Sequence, residues 1–183
     1  MKPKPEDLET RPLAERKNLV HVDDFAKALE PVDGFSAWFR SLPDIYGGKN
    51  LKRIVDVIVA ARKDDRQVGI ALGAHVLKVG LSPLLIDLMQ RGFITHIATN
   101  GAGIIHDWEI AYQGQTSEDV DANLTDGRFG FWRETFDALN GAVVRACKEK
   151  IGYGAALGKM VLDHDLPHKQ LCVYAEARRL GIP

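Results

Sequence analysis

Two short apolar runs on either side of one helical segment constrain the fold of this chain more than any other feature. Val68–Gly73 and Thr95–Thr99 are continuous apolar or β-branched stretches, which is the pattern of buried parallel strands. Between them, Ser82 and Pro83 are typical of a helix start, and Gly92 is typical of a helix end. The order strand, helix, strand predicts a βαβ unit with two parallel strands.

The carboxyl ends of parallel strands meet at the same edge of a sheet, and ligands of such sheets bind there. The loops that follow the two predicted strands are Gly73–Leu81 and Asn100–His106. Glycine lets a backbone approach a phosphate closely, and the free N–H groups at a helix start favour an anion. Because Gly101-Ala102-Gly103 is only half of a dinucleotide-binding fingerprint, a nucleotide site and a structural turn both remain open at this point.

Four ionisable side chains lie on or beside these two loops: His75, Lys78, His106 and Asp107. The pKa of histidine lies near neutrality, so His106 is a candidate general base or a ligand for a substrate hydroxyl. We predict His106 and Asp107 as the catalytic residues, because both follow the glycines within one helical turn. For each of the four taken singly, a structural hydrogen bond remains the alternative.

Most of the remaining chain has the apolar spacing of amphipathic helices. Helices are predicted as two short ones between Val22 and Leu42, then at Leu51–Arg62, from Ser117 onward, and at Phe131–Lys150, Ala155–Leu162 and Lys169–Leu180. Residues 1–20 are charged, contain three prolines and are predicted to form an N-terminal arm before a single domain over residues 21–183. Because α/β sheets usually have about four or more strands, we expect the sequence to be truncated at its C-terminus, or the missing strands to come from elsewhere.

Composition limits the classes of partner. The 183 residues carry a net charge of −1, whereas nucleic acids and anionic membranes need a basic face. No apolar run approaches the roughly 18 residues of a membrane span, and the N-terminal residues lack the apolar core of a signal peptide. Cys147 and Cys172 have no CxxC spacing and are expected to be reduced packing residues of a cytoplasmic protein, and no metal site is expected.

Four aromatic residues cluster at the start of the long predicted helix: Phe129, Phe131, Trp132 and Phe136. Their expected role is packing in the core. A subunit interface is the alternative, because aromatic side chains also anchor such contacts.

An ordered pair of motifs within Gly73–Gly114, GAHVLKVG followed by ATNGAGIIHD, resembles the deoxyhypusine synthase family, in particular its bacterial deoxyhypusine-synthase-like branch. The resemblance implies an α/β fold, namely a Rossmann-like, three-layer, helix-rich domain whose parallel sheet binds NAD. It also implies a homotetramer with active sites at a dimer interface. The implied reaction is the NAD-dependent transfer of the aminobutyl group of spermidine to a protein lysine or a small amine.

The family's two NAD-binding loops match two segments of this chain. The first, Asn-Leu-Ile-Ser-Ser-Gly, matches His75–Gly80, and the second, Thr-Ala-Gly-Gly-Val-Glu-Glu-Asp, matches Asn100–Asp107. The resemblance thereby implies the following cofactor-binding residues: His75, Lys78, Gly80, Thr99, Asn100, Gly101, Ala102 and Gly103. Ile105 and His106 stand where the family keeps glutamates near the polyamine, and the chain ends before any segment that matches the one with the imine-forming lysine.

Two other functions remain open. A non-catalytic relative would bind NAD or another nucleotide and act as an oligomeric binding protein, which the loss of the family's serines and glutamates favours. A different nucleotide-binding enzyme on the same fold would use His106 and Asp107 as a pair of substrate contacts.

Overall fold

The structure is a computed structural model that describes residues 21–28, 34–125, 127, 129, 130 and 132–183. The chain divides into two compact units, Met1–Val57 and Ile58–Pro183, and the division falls inside a helix. The sequence predicts a single domain over residues 21–183. The predicted N-terminal arm, residues 1–20, lies outside the described residues.

The described part of the first unit is helical. Its elements are a 3-10 turn at Val22–Asp24, helix α1 at Phe35–Ser41 and most of helix α2 at Tyr46–Lys63. The first of the two short helices predicted between Val22 and Leu42 is therefore a single turn, because the backbone is already extended at Phe25. The second short helix is present as α1, which begins after Gly34.

The second unit combines seven helices and two strands among its described residues. In chain order they are β1 (Gly69–Ala71), α3 (Ala74–Lys78), α4 (Ser82–Gln90), β2 (His96–Ala98), α5 (Gly101–Gln113), α6 (Val120–Leu124), α7 (Arg133–Glu149), α8 (Tyr153–Asp163) and α9 (Val173–Leu180), with a 3-10 turn at Lys169–Leu171 before α9. The strands are parallel, and Ile70 of β1 is opposite Ile97 of β2. The predicted parallel pair is therefore present.

The predicted Rossmann-like, three-layer α/β fold is wrong for the residues that the structure describes. The sheet has two strands, and every described element after β2 is helical. Ile70 and Ile97 pack on the helical core, whereas Gly69, Ala71 and Ala98 alternate with them and are exposed. Helices thus cover one face of a small sheet. The described sheet has no further strand because the segments after Ala98 have the apolar period of helices.

Both predicted glycine loops are largely helical. α3 lies within Gly73–Leu81, and α5 begins directly at Gly101, where the Asn100 side chain caps it by accepting a hydrogen bond from the Gly103 N–H at 3.1 Å. The predicted helix with Pro83 near its start is present as α4. Gly92 follows it with a φ of +73°, a conformation that glycine adopts without strain.

Two hydrophobic clusters form the core of the second unit, and α9 contributes to both. One cluster joins α5, α7, α8 and α9, and contains these buried residues: Ile104, Trp108, Ala111, Ala142, Leu157, Val161, Cys172 and Ala175. The other joins α3, α4, the segment before β2 and α9, and contains Leu77, Leu85, Ile86, Met89, Ile94 and Val173. Tyr174 packs against both clusters.

Three further properties bear on the class of protein. No helix in the described ranges is long and apolar enough to cross a membrane. Within the same residues, histidines, cysteines and carboxylates form no cluster of three or more that is arranged to hold a metal. Both cysteines are free: Cys147 is exposed and Cys172 is buried in the core.

Gly158, near the middle of α8, tests the packing of α8 against α9. A Cβ added at Gly158 would lie 2.2 Å from the carbonyl oxygen of Tyr174, so the backbone would have to move. We expect Gly158→Ala to lower the free energy of unfolding in urea by about 1–3 kcal/mol. The matched control is Gly141→Ala in α7, where the nearest atom is Met160 Sδ at 3.9 Å and alanine should stabilise by about 0.5–1 kcal/mol. Equal effects of the two substitutions would contradict this packing.

Candidate functional site

Helix α5 presents two different faces because of its helical period. Gly103, Ile104, Asp107, Trp108 and Ala111 are the buried residues of this helix, and they recur at intervals of three and four. A neighbouring face lines a cavity with these residues: Ala102, Ile105, His106 and Glu109. The stretch predicted as a ligand-binding loop, Asn100–His106, therefore belongs largely to a helix, and one face of that helix lines the cavity.

The cavity has a volume of about 550 Å³, within the range of roughly 300–1,000 Å³ that small-molecule sites occupy. Its wall is formed by the end of α3 with Lys78, by α5, by the segment between α5 and α6, by the start of α6, by the segment that precedes α7, and by the first turns of α7. Lys78 and His106, predicted from separate loops, are thus brought to one site.

A chain of hydrogen bonds crosses the wall of this cavity. His106 Nδ1 lies 2.6 Å from the hydroxyl oxygen of Thr116, and that hydroxyl donates to Glu109 Oε2 at 2.6 Å. The hydroxyl of Thr135 donates to the other carboxylate oxygen, Glu109 Oε1, at 3.0 Å. Both oxygens of Glu109 are therefore held by threonine hydroxyls.

The surroundings of His106 shift its protonation. Burial is the largest influence and lowers the pKa of His106; the carboxylate of Glu109 raises it, and Coulombic interactions with Lys78 and His75 lower it again. Because the net result is a pKa below the ordinary value of 6.5, the imidazole is neutral at neutral pH and has a lone pair available.

A second carboxylate and a group of aromatic side chains complete the wall. Glu118 accepts hydrogen bonds from the Gly130 N–H at 2.9 Å and from Asn123 Nδ2 at 3.1 Å. The aromatic side chains that line the cavity are Phe129, Trp132 and Phe136.

The expectation that the aromatic cluster packs in the core is wrong for these three residues. Phe136 is 60% exposed, Phe129 is 44% exposed and Trp132 is 40% exposed. Phe131, the fourth member of the predicted cluster, lies outside the described residues. The aromatic rings therefore offer an accessible apolar surface in the cavity wall.

Asp107, predicted as a catalytic residue, is not part of this wall. It is fully buried and accepts hydrogen bonds from the backbone N–H groups of Val173 and Tyr174, each at 3.1 Å, and from Cys172 Sγ at 3.0 Å. These contacts place its carboxylate at the N-terminus of α9, where it satisfies N–H groups that a helix leaves unpaired. Desolvation raises the pKa of Asp107, and the three hydrogen bonds act in the opposite direction. Asp107 thus has a structural environment, and we leave it out of the candidate site.

The eight predicted cofactor-binding residues are divided among different environments. Only Lys78 and Ala102 line the cavity, while His75 is exposed. Gly80 and Gly101 are open, because an added Cβ would meet no atom within 4 Å.

The other three are engaged in the fold. Asn100 caps α5, and Gly103 packs so closely on Thr99 that an added Cβ would lie 2.4 Å from its hydroxyl oxygen. The glycine-for-phosphate role that a dinucleotide fingerprint requires is therefore available at Gly101 and not at Gly103, so the described residues do not fit the full fingerprint.

Sequence reasoning missed four residues of the site: Glu109, Thr116, Glu118 and Thr135. Glu109 follows His106 by three residues, which places both on one side of a helix, but this signal needs α5 to be recognised as a helix from Gly101 onward. Thr135 is 26 residues from Glu109, and no local pattern links them.

Comparisons with known proteins leave the family unassigned. No protein-family model matches the chain, and no curated protein matches it at a significant level.

Asp107 gives a stability prediction with a defined sign. Its pKa is raised above 3.8 in the folded state, so the folded protein binds this proton more tightly than the unfolded chain. The associated stability is present below pH 3.8 and is lost as the pH rises through the folded-state pKa. The free energy of unfolding of the wild type, relative to Asp107→Asn, should therefore fall between about pH 4 and pH 7 in urea titrations.

Asp107→Ala supplies the control for the capping contacts. It leaves buried N–H groups of α9 without an acceptor and should cost about 1–3 kcal/mol near pH 4. This cost should decline toward higher pH in the same way as for Asp107→Asn, because both variants remove the titrating group. Asp121→Asn, an exposed carboxylate on α6, should change the free energy of unfolding by less than about 0.5 kcal/mol. A difference between wild type and Asp107→Asn that does not vary with pH would contradict the prediction.

Proposed function

We propose that the cavity beside α5 binds a small organic amine of the polyamine class. The observation that carries this proposal is the carboxylate of Glu109, which lies in the cavity wall with both oxygens oriented by threonine hydroxyls. No cation in the described part of the chain lies within ion-pair distance of it. A partly buried carboxylate is stabilised by an opposite charge, which an ammonium group of a ligand would supply.

The rest of the wall supports the same class of ligand. Glu118 adds a second carboxylate, so the carboxylates outnumber the single ammonium of Lys78. The rings of Phe129, Trp132 and Phe136 offer apolar surface to methylene groups, and aromatic faces also attract ammonium groups. A flexible chain of methylenes with amino groups at intervals matches a wall that contains both carboxylates and aromatic rings.

The resemblance of Gly73–Gly114 to the deoxyhypusine synthase family extends this proposal to chemistry. It implies transfer of the aminobutyl group of spermidine to a protein lysine or to a small amine, by an oligomeric and cytoplasmic protein. His106, neutral and in the same wall, would remove a proton from an amine in such a reaction. Incubation with isotope-labelled spermidine and NAD separates the two readings: a labelled four-carbon group on any acceptor supports a transferase, and binding without transfer supports a binding protein.

A nucleotide, with NAD as the implied cofactor, is the second candidate ligand. The observation in its favour is that Gly80 and Gly101, in the segments that follow β1 and β2, leave the backbone open, with Lys78 in the cavity wall. Open glycines permit close approach of a phosphate, and a lysine supplies a positive charge to it. Hydride chemistry is what NAD would supply when bound, and the residues of this chain would bind and orient it.

Amine binding can be tested by calorimetric titration with spermidine, with putrescine, and with 1,4-butanediol as an uncharged control. We expect spermidine to bind and butanediol not to bind. Glu109→Gln removes the charge and keeps the shape, and should weaken spermidine binding by about tenfold or more, since hydrogen bonds to charged groups contribute roughly 1.5–3 kcal/mol.

Asp121→Asn removes an exposed carboxylate outside the cavity and serves as the matched control. It should leave the affinity for spermidine unchanged. Equal weakening of binding by both variants would show that the affinity for spermidine depends only on the net charge of the protein. That result would count against a site in this cavity.

NAD binding can be tested by the same method at cofactor concentrations up to the millimolar range. If the open glycines accept a phosphate, NAD should give saturable heat, and Lys78→Gln should weaken the binding by about fivefold or more, as expected for the loss of one charged contact. The absence of heat at millimolar NAD would remove the cofactor from the proposal and leave amine binding unaffected.

A further inference from the structure

The hydrogen-bond chain from His106 through Thr116 to Glu109 determines where the protons lie. A threonine hydroxyl has one proton, and the hydroxyl of Thr116 donates it to Glu109 Oε2 at 2.6 Å. The hydroxyl oxygen can then only accept from His106 Nδ1, which lies 2.6 Å away. Nδ1 of the neutral imidazole therefore carries the proton, and Nε2 carries the lone pair.

The carboxylate of Glu109 is unable to reverse this direction while it is ionised. A carboxylate only accepts hydrogen bonds, and its second oxygen already accepts from Thr135 at 3.0 Å. Two hydroxyls thus orient the acid, and the acid orients the hydroxyl that holds His106. A hydrogen bond to one ring nitrogen of a histidine selects which of the two nitrogens carries the proton, and Thr116 has this effect on His106.

We propose that Thr116 and Glu109 are positioning residues that hold His106 with Nε2 unprotonated, so that His106 accepts a proton from an ammonium group in the cavity. The identity of the proton donor rests on the proposed function, whereas the tautomer of His106 does not. In the step, an N–H bond of the ammonium breaks, the electron pair stays on the amine nitrogen, and the proton forms a bond to Nε2. The resulting imidazolium still donates from Nδ1 toward Thr116, and the negative charge of Glu109 stabilises it.

Other charged groups face the same ring. Lys78 and His75 on α3 oppose a positive charge on His106, and Glu109 favours it. Glu118, from the segment between α5 and α6, lines the same cavity and adds a second negative charge. Burial is the largest influence that keeps the resting imidazole neutral, and Coulombic interactions with Lys78 and His75 act in the same direction. The relay formed by Thr116 and Glu109 acts in the opposite direction, because the negative charge of Glu109 stabilises the imidazolium.

Nitrogen-15 and proton NMR of histidine side chains in the unliganded protein tests the relay directly. His106 should show the Nδ1-protonated tautomer, and its signals are assigned by their loss in His106→Gln. His164 is an internal reference, because its Nδ1 lies 2.7 Å from the carbonyl oxygen of Met160, which only accepts. In Thr116→Val the preference of His106 for this tautomer should fall by about tenfold, as for the loss of one hydrogen bond, while His164 stays unchanged.

Thr116→Ser retains the hydroxyl and should restore the tautomer, which separates loss of the relay from a general effect of substitution. In Glu109→Gln the pKa of His106, measured by NMR titration, should fall below its wild-type value because the charge that raises it is gone. The relay is refuted if wild-type His106 carries its proton on Nε2, or if Thr116→Val leaves the tautomer unchanged in a folded protein. Because these measurements need no ligand, failure of amine binding in calorimetry would refute the proposed function alone.

Discussion

The buried carboxylate of Asp107 is the contact on which the rest of the second unit depends. It joins α5 to the N-terminus of α9 through the N–H groups of Val173 and Tyr174. α9 packs into both hydrophobic clusters, so the contact that starts this helix also joins the two halves of the core. An acceptor is required here because N–H groups at a helix start have no partner within the helix, and a buried N–H group without one is costly.

The same contact sets the orientation of the cavity wall. Successive residues of a helix point about 100° apart, so a helix that buries Asp107 directs the neighbouring His106 to an adjoining side. Glu109 follows by three residues and lies on that side as well. Adjacent residues of α5 therefore have different roles: Asp107 stabilises the core, and His106 lines the cavity.

The local features of the fold were predictable from the sequence, and its architecture was not. Strands β1 and β2, helix α4 with Pro83 in its first turn, and the end of α4 shortly before Gly92 each follow from neighbouring residues. The three-layer sheet came from a family resemblance, and it requires long-range strand pairing that the helical segments after β2 do not supply. The prediction of a loop over Asn100–His106 is wrong, because Asn100 caps a helix that begins at Gly101. The residue type of His106 is enough to make it a candidate, whereas no local sequence pattern distinguishes Thr116 and Thr135 from other threonines.

The sequence by itself determined the parallel strand pair and the positions of most helix ends. It also placed Lys78 and His106 in segments that follow strands ending at one edge of the sheet. Tertiary structure alone decided that Asp107 anchors α9 and that Glu109, Thr116 and Thr135 form one hydrogen-bonded group. The physical reason is the range of the interactions. Helix caps and apolar periods act between residues a few positions apart, so they can be predicted from the local sequence. Burial of a carboxylate and the partner of a hydroxyl depend on residues from distant segments, and only packing brings those together.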